Sequence, residues 1–186
     1  MSTTTETASA FGLSGATGWV VGGAVGGALG AAAFGLVLWL FDPVIVEAAI
    51  PSVYGLETEG VIGWGIHIAH GVLLGLIFGV LVTREAVLGV LRTDTETEAL
   101  SGAGIVLRVV GAGFVFGLAV FAILPLLVLP VWTDVGGAGA QVGDFPTAAI
   151  ESLLGHLVFG LVLGIVFALT VDLEGRTDAR PLETGE

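Results

Sequence analysis

Four stretches of this 186-residue chain contain no Asp, Glu, Lys or Arg: 7–41, 60–83, 109–133 and 152–171, of 35, 24, 25 and 20 residues. A hydrocarbon core about 30 Å thick is crossed by roughly 20 predominantly apolar residues in helical form, so each stretch is long enough to span a bilayer. Backbone groups inside the bilayer find no water, and a helix satisfies them within its own segment. The pattern therefore predicts an all-α, polytopic membrane protein with four transmembrane helices. It divides into a disordered N-terminus over 1–15, a first transmembrane hairpin over 16–83, a linker over 84–103, a second hairpin over 104–171 and a disordered tail over 172–186.

The two hairpins resemble each other. Residues 34–43 align with 116–125, sharing Phe, Gly, Leu and Pro, with Trp39 opposite Phe121. In the following helix His67, Gly71, Gly75 and Phe78 align without a gap with His156, Gly160, Gly164 and Phe167. Each half runs in the same sense through the membrane, so the repeat is parallel, with a pseudo-two-fold axis along the membrane normal. The second hairpin is longer between its Pro and its His, and the extra length is expected in the Gly-rich stretch 133–143. Glycines recur at a spacing of four: Gly18, Gly22, Gly26 and Gly30 on the first helix, Gly71, Gly75 and Gly79 on the second, Gly160 and Gly164 on the fourth. Residues four apart share a helix face, and small residues there let backbones approach closely. These are read as helix-packing positions. A phosphate loop is excluded, because no Gly-Lys-Ser/Thr follows the Gly22–Gly27 run.

Composition leaves little outside the bilayer. The polar stretches 84–108 and 172–186 are each too short for a hydrophobic core of their own, since chains below about 40 residues rarely fold unaided. The absence of cysteine excludes a disulfide framework and a thiol nucleophile. No basic n-region marks a cleaved signal peptide. Net charge is −12, with five arginines and no lysine, an acidic balance suited to concentrated salt and unsuited to nucleic acid. Arg84, Arg92 and Arg108 lie between the second and third helices and Arg176 and Arg180 in the tail. The positive-inside rule then puts both termini and residues 84–108 in the cytoplasm. The expected location is the cell membrane, and the expected partners are the lipid bilayer and a second copy or a larger membrane complex, since the first helix carries more glycine than one neighbour needs.

The set Gly63-Trp64-x-x-His67-x-x-x-Gly71-x-x-x-Gly75-x-x-Phe78, Phe116-Gly117, Leu129-Pro130-Val-Trp132 and His156-x-x-x-Gly160-x-x-x-Gly164-x-x-Phe167 resembles a family of small four-helix membrane proteins to which no activity is assigned. The resemblance covers most of residues 18–170 and implies fold, membrane location and two equivalent histidines, but no reaction. Similar proteins from salt-loving archaea are sometimes labelled histidine kinases. Here nothing outside the bilayer is large enough to fold around ATP, so a kinase activity is not expected.

His67 and His156 carry the candidate chemistry, because ionisable side chains inside a bilayer are rare and usually face the bundle interior. At roughly 1.5 Å rise per residue, His67 lies about 10 Å from the outer boundary. Three readings stand open. The imidazoles could fix packing by hydrogen bonds to neighbouring helices, making the protein an accessory or structural component without catalysis. They could handle protons or a solute in a small transporter or channel-like protein, with Glu59 and Glu151 at the outer mouth. Or they could ligate a metal or haem, although no other haem signal is present. Trp64, Trp132 and Tyr54 near the outer boundary and Trp19 near the inner one are read as interface anchors. Pro125 is expected to kink or end the third helix, and 43–54 to lie on the outer membrane surface.

Overall fold

The computed structural model describes residues 15–57, 60–84, 87, 101–128, 130, 131 and 150–171. Four long helices dominate: α1 Gly15–Phe41, α2 Gly60–Val82, α3 Ser101–Ile123 and α4 Ile150–Thr170. α3 runs on through a π-helical turn, Leu124–Val128. The apolar spans are Thr17–Phe41, Gly60–Val82, Gly104–Val128 and Ile150–Thr170, and even the shortest is about 30 Å long at 1.5 Å per residue. The chain is an all-α, four-helix, multi-pass membrane protein. Its large exposed hydrophobic side chains, Leu29, Leu36, Leu107 and Val115 among them, are the surface that acyl chains cover.

The order of packing is α2, α1, α4, α3. α1 lies along both α2 and α4, and α4 lies along both α1 and α3, whereas α2 and α3 scarcely meet. Glycine explains how close these seams are. A Cβ on Gly23 or Gly75 would fall on the carbonyl oxygen of the other, and Gly71 is pressed against Ala31 and the Gly27 carbonyl. On the other side of α1, Gly22 faces Val171 and Thr170, Gly26 faces Leu163, and Gly30 faces Phe159. Between α3 and α4, Gly160 lies on the backbone of Gly113 and Gly117, and a Cβ on Gly164 would come within 2.9 Å of the Val110 Cα. Without a hydrophobic force between helices in lipid, such close packing is a main source of association.

On α1, Gly22, Gly26 and Gly30 are covered by α4 and Gly23 and Gly27 by α2. Phe34, Phe78, Phe159, Leu163 and Phe167 fill the centre, with Phe78 meeting Phe116 at a ring-centroid distance of 5.4 Å and Phe167 at 5.3 Å. Trp19, read as an interface anchor, packs against this core beside Gly79.

Three local features differ from the sequence reading. α3 begins ahead of the charge-free stretch and carries Arg108 within the helix, as a long side chain can when its stem lies on apolar surface and its charge reaches outward. The chain does not stop at Pro125: the helix widens to a π turn with Pro125 buried, which absorbs the residue that lacks an N–H. Residues 45–52 are tucked against the bundle. They form a π turn, Ile45–Ala49, and one α-turn, Ile50–Ser52, with Ile45, Val46 and Pro51 buried against the bundle. Gly63 permits this, because a Cβ there would collide with the Val46 carbonyl. Asp42 starts the segment by accepting the Val44 N–H at 3.0 Å, and Glu47 accepts from the Trp39 indole at 3.2 Å.

Candidate functional site: an intramembrane histidine chamber

Where α2 and α3 fail to meet, they leave a cavity of about 500 Å³. Its wall is aliphatic and aromatic, built from Ala31 and Phe34 of α1, Leu74 and Ile77 of α2, Leu124, Pro125 and Val128 of the π turn, and Phe159 of α4. Polar groups enter from three directions: His67 and His70 from α2, His156 from α4, and Tyr54 from the turn after Ser52. A smaller cavity of about 130 Å³ shares Phe34, His67, Pro125 and His156 with the first and reaches Ser152 and Glu151.

His67 and His156 are both buried, each 8% exposed. The Phe34 ring packs against both, its centroid 5.0 Å from that of His67 and 4.4 Å from that of His156. Gly155 makes room for this ring, since any Cβ there would overlap it. Gly35 similarly allows Trp64 to approach α1 and stand edge-on to His67 at 6.4 Å. Phe121 closes the opposite side of His156 at 5.6 Å.

The hydrogen bonds of the two rings differ. His156 Nδ1 lies 2.7 Å from the Ser152 carbonyl oxygen, one turn back on its own helix. A carbonyl only accepts, so Nδ1 carries the proton there, and in the neutral ring Nε2 is left with a lone pair. His67 Nε2 is buried without a partner. Buried polar atoms are overwhelmingly hydrogen-bonded, so such an exception calls for an explanation. His70 is exposed on the chamber side and pairs with Tyr54, hydroxyl oxygen to Nε2, at 2.6 Å. Burial raises the Tyr54 phenol above its ordinary pKa of 10.0.

Glu151 is half-buried in the first turn of α4, at the smaller cavity. Glu59, Trp132, the stretch 133–143, the N-terminal segment 1–14 and the tail 172–186 lie outside the described residues. Among the described residues no three His, Cys, Asp or Glu side chains gather as a metal site. Phe34 and His70 are not among the candidates the sequence motifs single out; aligned on His67 and His156, His70 stands opposite Phe159, and that mismatch is the one signal in the sequence that could have found it.

No protein-family model, curated protein or solved structure matches this chain.

Proposed function

We propose that this protein is a non-catalytic membrane component that holds a small molecule within the bilayer, in the chamber between α2 and α3, with His67, His70, His156 and Tyr54 as its polar contacts. The carrying observation is an apolar cavity of about 500 Å³ on which His67, His70, His156 and Tyr54 converge, with the Nε2 of His67 buried without a hydrogen-bond partner. Ligand pockets of about 300–1,000 Å³ with a few convergent polar groups are the usual form of a binding site.

The internal repeat supplies a reason for the chamber. Under the alignment, Gly35 beside His67 corresponds to Gly117 beside His156, and Ala31 on Gly71 to Gly113 on Gly160; both pairs of contacts occur, which supports two hairpins of one design. The seam between α1 and α4 should then have a counterpart between α3 and α2. On α3, however, the positions equivalent to Gly26 and Gly30 are Arg108 and Ala112, and Gly104, equivalent to Gly22, has nothing within 4 Å. On α2, His70 stands where α4 places Phe159 against Gly30. One seam closes on glycine and the other stays open. Membership of the four-helix family that the chain resembles rests on the Gly and His motifs. The arginine distribution supports placing both termini inside and the chamber in the outer half of the membrane.

Native mass spectrometry of the protein released from its own membranes tests this reading. Wild type is expected to retain a bound small molecule, and Leu74→Trp, which fills the chamber, to lose it. Wild type and variant both free of any adduct would refute it.

A further inference from the structure

The chamber also specifies the kind of molecule it takes. We infer that its ligand is a neutral lipid alcohol that enters sideways from the bilayer, its hydroxyl lodged among His67, His156 and Tyr54 and its hydrocarbon body leaving between α2 and α3. This deepens the binding reading above and rests on it.

The route follows from the rim. Leu73 and Ile77 on one side and Leu124 and Val128 on the other are all exposed, so among the described residues the mouth of the chamber is apolar. A mouth of this kind opens to acyl chains, because a water-facing entrance would gain nothing from aliphatic edges. A ligand passing it must itself partition into the membrane.

The head group follows from the charges and hydrogen-bond roles inside. Neither cavity is lined by Arg, and the chain has no lysine. A phosphate or carboxylate head would therefore enter apolar surroundings without a counter-charge, which is costly. The neutral head must still answer the imidazoles. His156 spends its Nδ1 proton on the Ser152 carbonyl and keeps an accepting Nε2. His67 lines the same cavity, and its Nε2, buried without a partner, is left to a donor or an acceptor according to its tautomer once a ligand displaces the apolar groups that shield it. A hydroxyl is donor and acceptor at once and suits both rings, whereas an ether or ester only accepts. The Tyr54 hydroxyl, held on His70 at 2.6 Å, stands at the same wall.

Photolabelling in lipid nanodiscs tests the inference, with a diazirine-bearing long-chain alcohol as probe and farnesol, farnesyl methyl ether and farnesyl phosphate as competitors. The probe is expected to label chamber peptides of α2 and α4. Farnesol should compete roughly tenfold better than the ether or the phosphate, since a site built to bond a hydroxyl rejects an analogue without one. His67→Phe, which keeps an aromatic ring but removes the nitrogens, should erase the preference for farnesol over the ether while leaving the label in the chamber. Should Leu74→Trp fail to fold, this second variant still decides. Equal competition by alcohol and ether in wild type would overturn the lipid-alcohol assignment and leave a binding chamber standing. Preferential competition by the phosphate would replace the neutral head with an anionic one. Labelling confined to the outer helix faces would refute the chamber as a binding site altogether.

Discussion

Gly75 and Gly111 sit on helices of equal length in the same bilayer, yet their missing side chains do different things. A Cβ on Gly75 would fall on the Gly23 carbonyl and within 2.9 Å of the Gly27 nitrogen, whereas one on Gly111 meets nothing within 4 Å. Backbone cannot rotate aside as a side-chain tip can, so Gly75→Leu must part α1 from α2. The expected loss is about 1–3 kcal/mol, the range found when packed interiors are overfilled. Gly111→Leu is expected to change stability by less than about 0.5 kcal/mol. Reversible unfolding of both variants in detergent micelles measures the contrast, and equal losses would show that the α1–α2 seam is looser than its geometry. The spacing of four marked Gly75 as a packing position from sequence. Nothing in the sequence marked Gly111 as open, because its surroundings depend on which helices fail to meet.

At the scale of elements, the four spans were legible because charge-free length is a property of the chain alone. The irregular pieces were not. Residues 45–52 are apolar enough either to lie on a membrane surface or to tuck into a bundle, and only Gly63, a helix away, decides between them by admitting Val46. Pro125 reads as a kink or an end, and only the structure shows the π turn that absorbs it. The turn after Ser52 is tied to α2 by Tyr54 and His70, a contact that joins one boundary residue to one unmatched histidine. Because Tyr54 is the sole tyrosine, ultraviolet titration reports this tie directly. The phenolate should appear with a midpoint above the ordinary 10.0, since burial opposes the charged form. The native phenol holds its proton more tightly than the unfolded one. Its contribution to stability is therefore complete below pH 10 and is lost as pH rises through the higher native value. A midpoint at or below 10 would place the hydroxyl in water and detach the turn from the chamber.

For the whole molecule, the open seam between α2 and α3 and the distribution of charge bear on which leaflet the chamber faces. The chamber lies at the end of the bundle that carries residues 45–54 and the π turn at 124–128; among the described residues, Arg84 and Arg108 lie toward the other end, after α2 and in the first half of α3. If arginine is retained in the cytoplasm, the chamber occupies the outer half of the membrane and any ligand reaches it from the outer leaflet. Reporter fusions after residue 91 and after residue 186 are expected to show cytoplasmic activity, and a fusion within 133–143 to show the reverse. Replacing the five arginines with glutamine removes the bias without lengthening or shortening any span, so it should yield a mixed or inverted topology. The reporter signals at the three sites should change together in that variant, because an inverted bundle moves both ends at once. Wild-type fusions with the tail outside would move the chamber to the inner leaflet while leaving its geometry unchanged. Retention of the original orientation without arginine would show that the acidic loops, rather than the positive residues, set it.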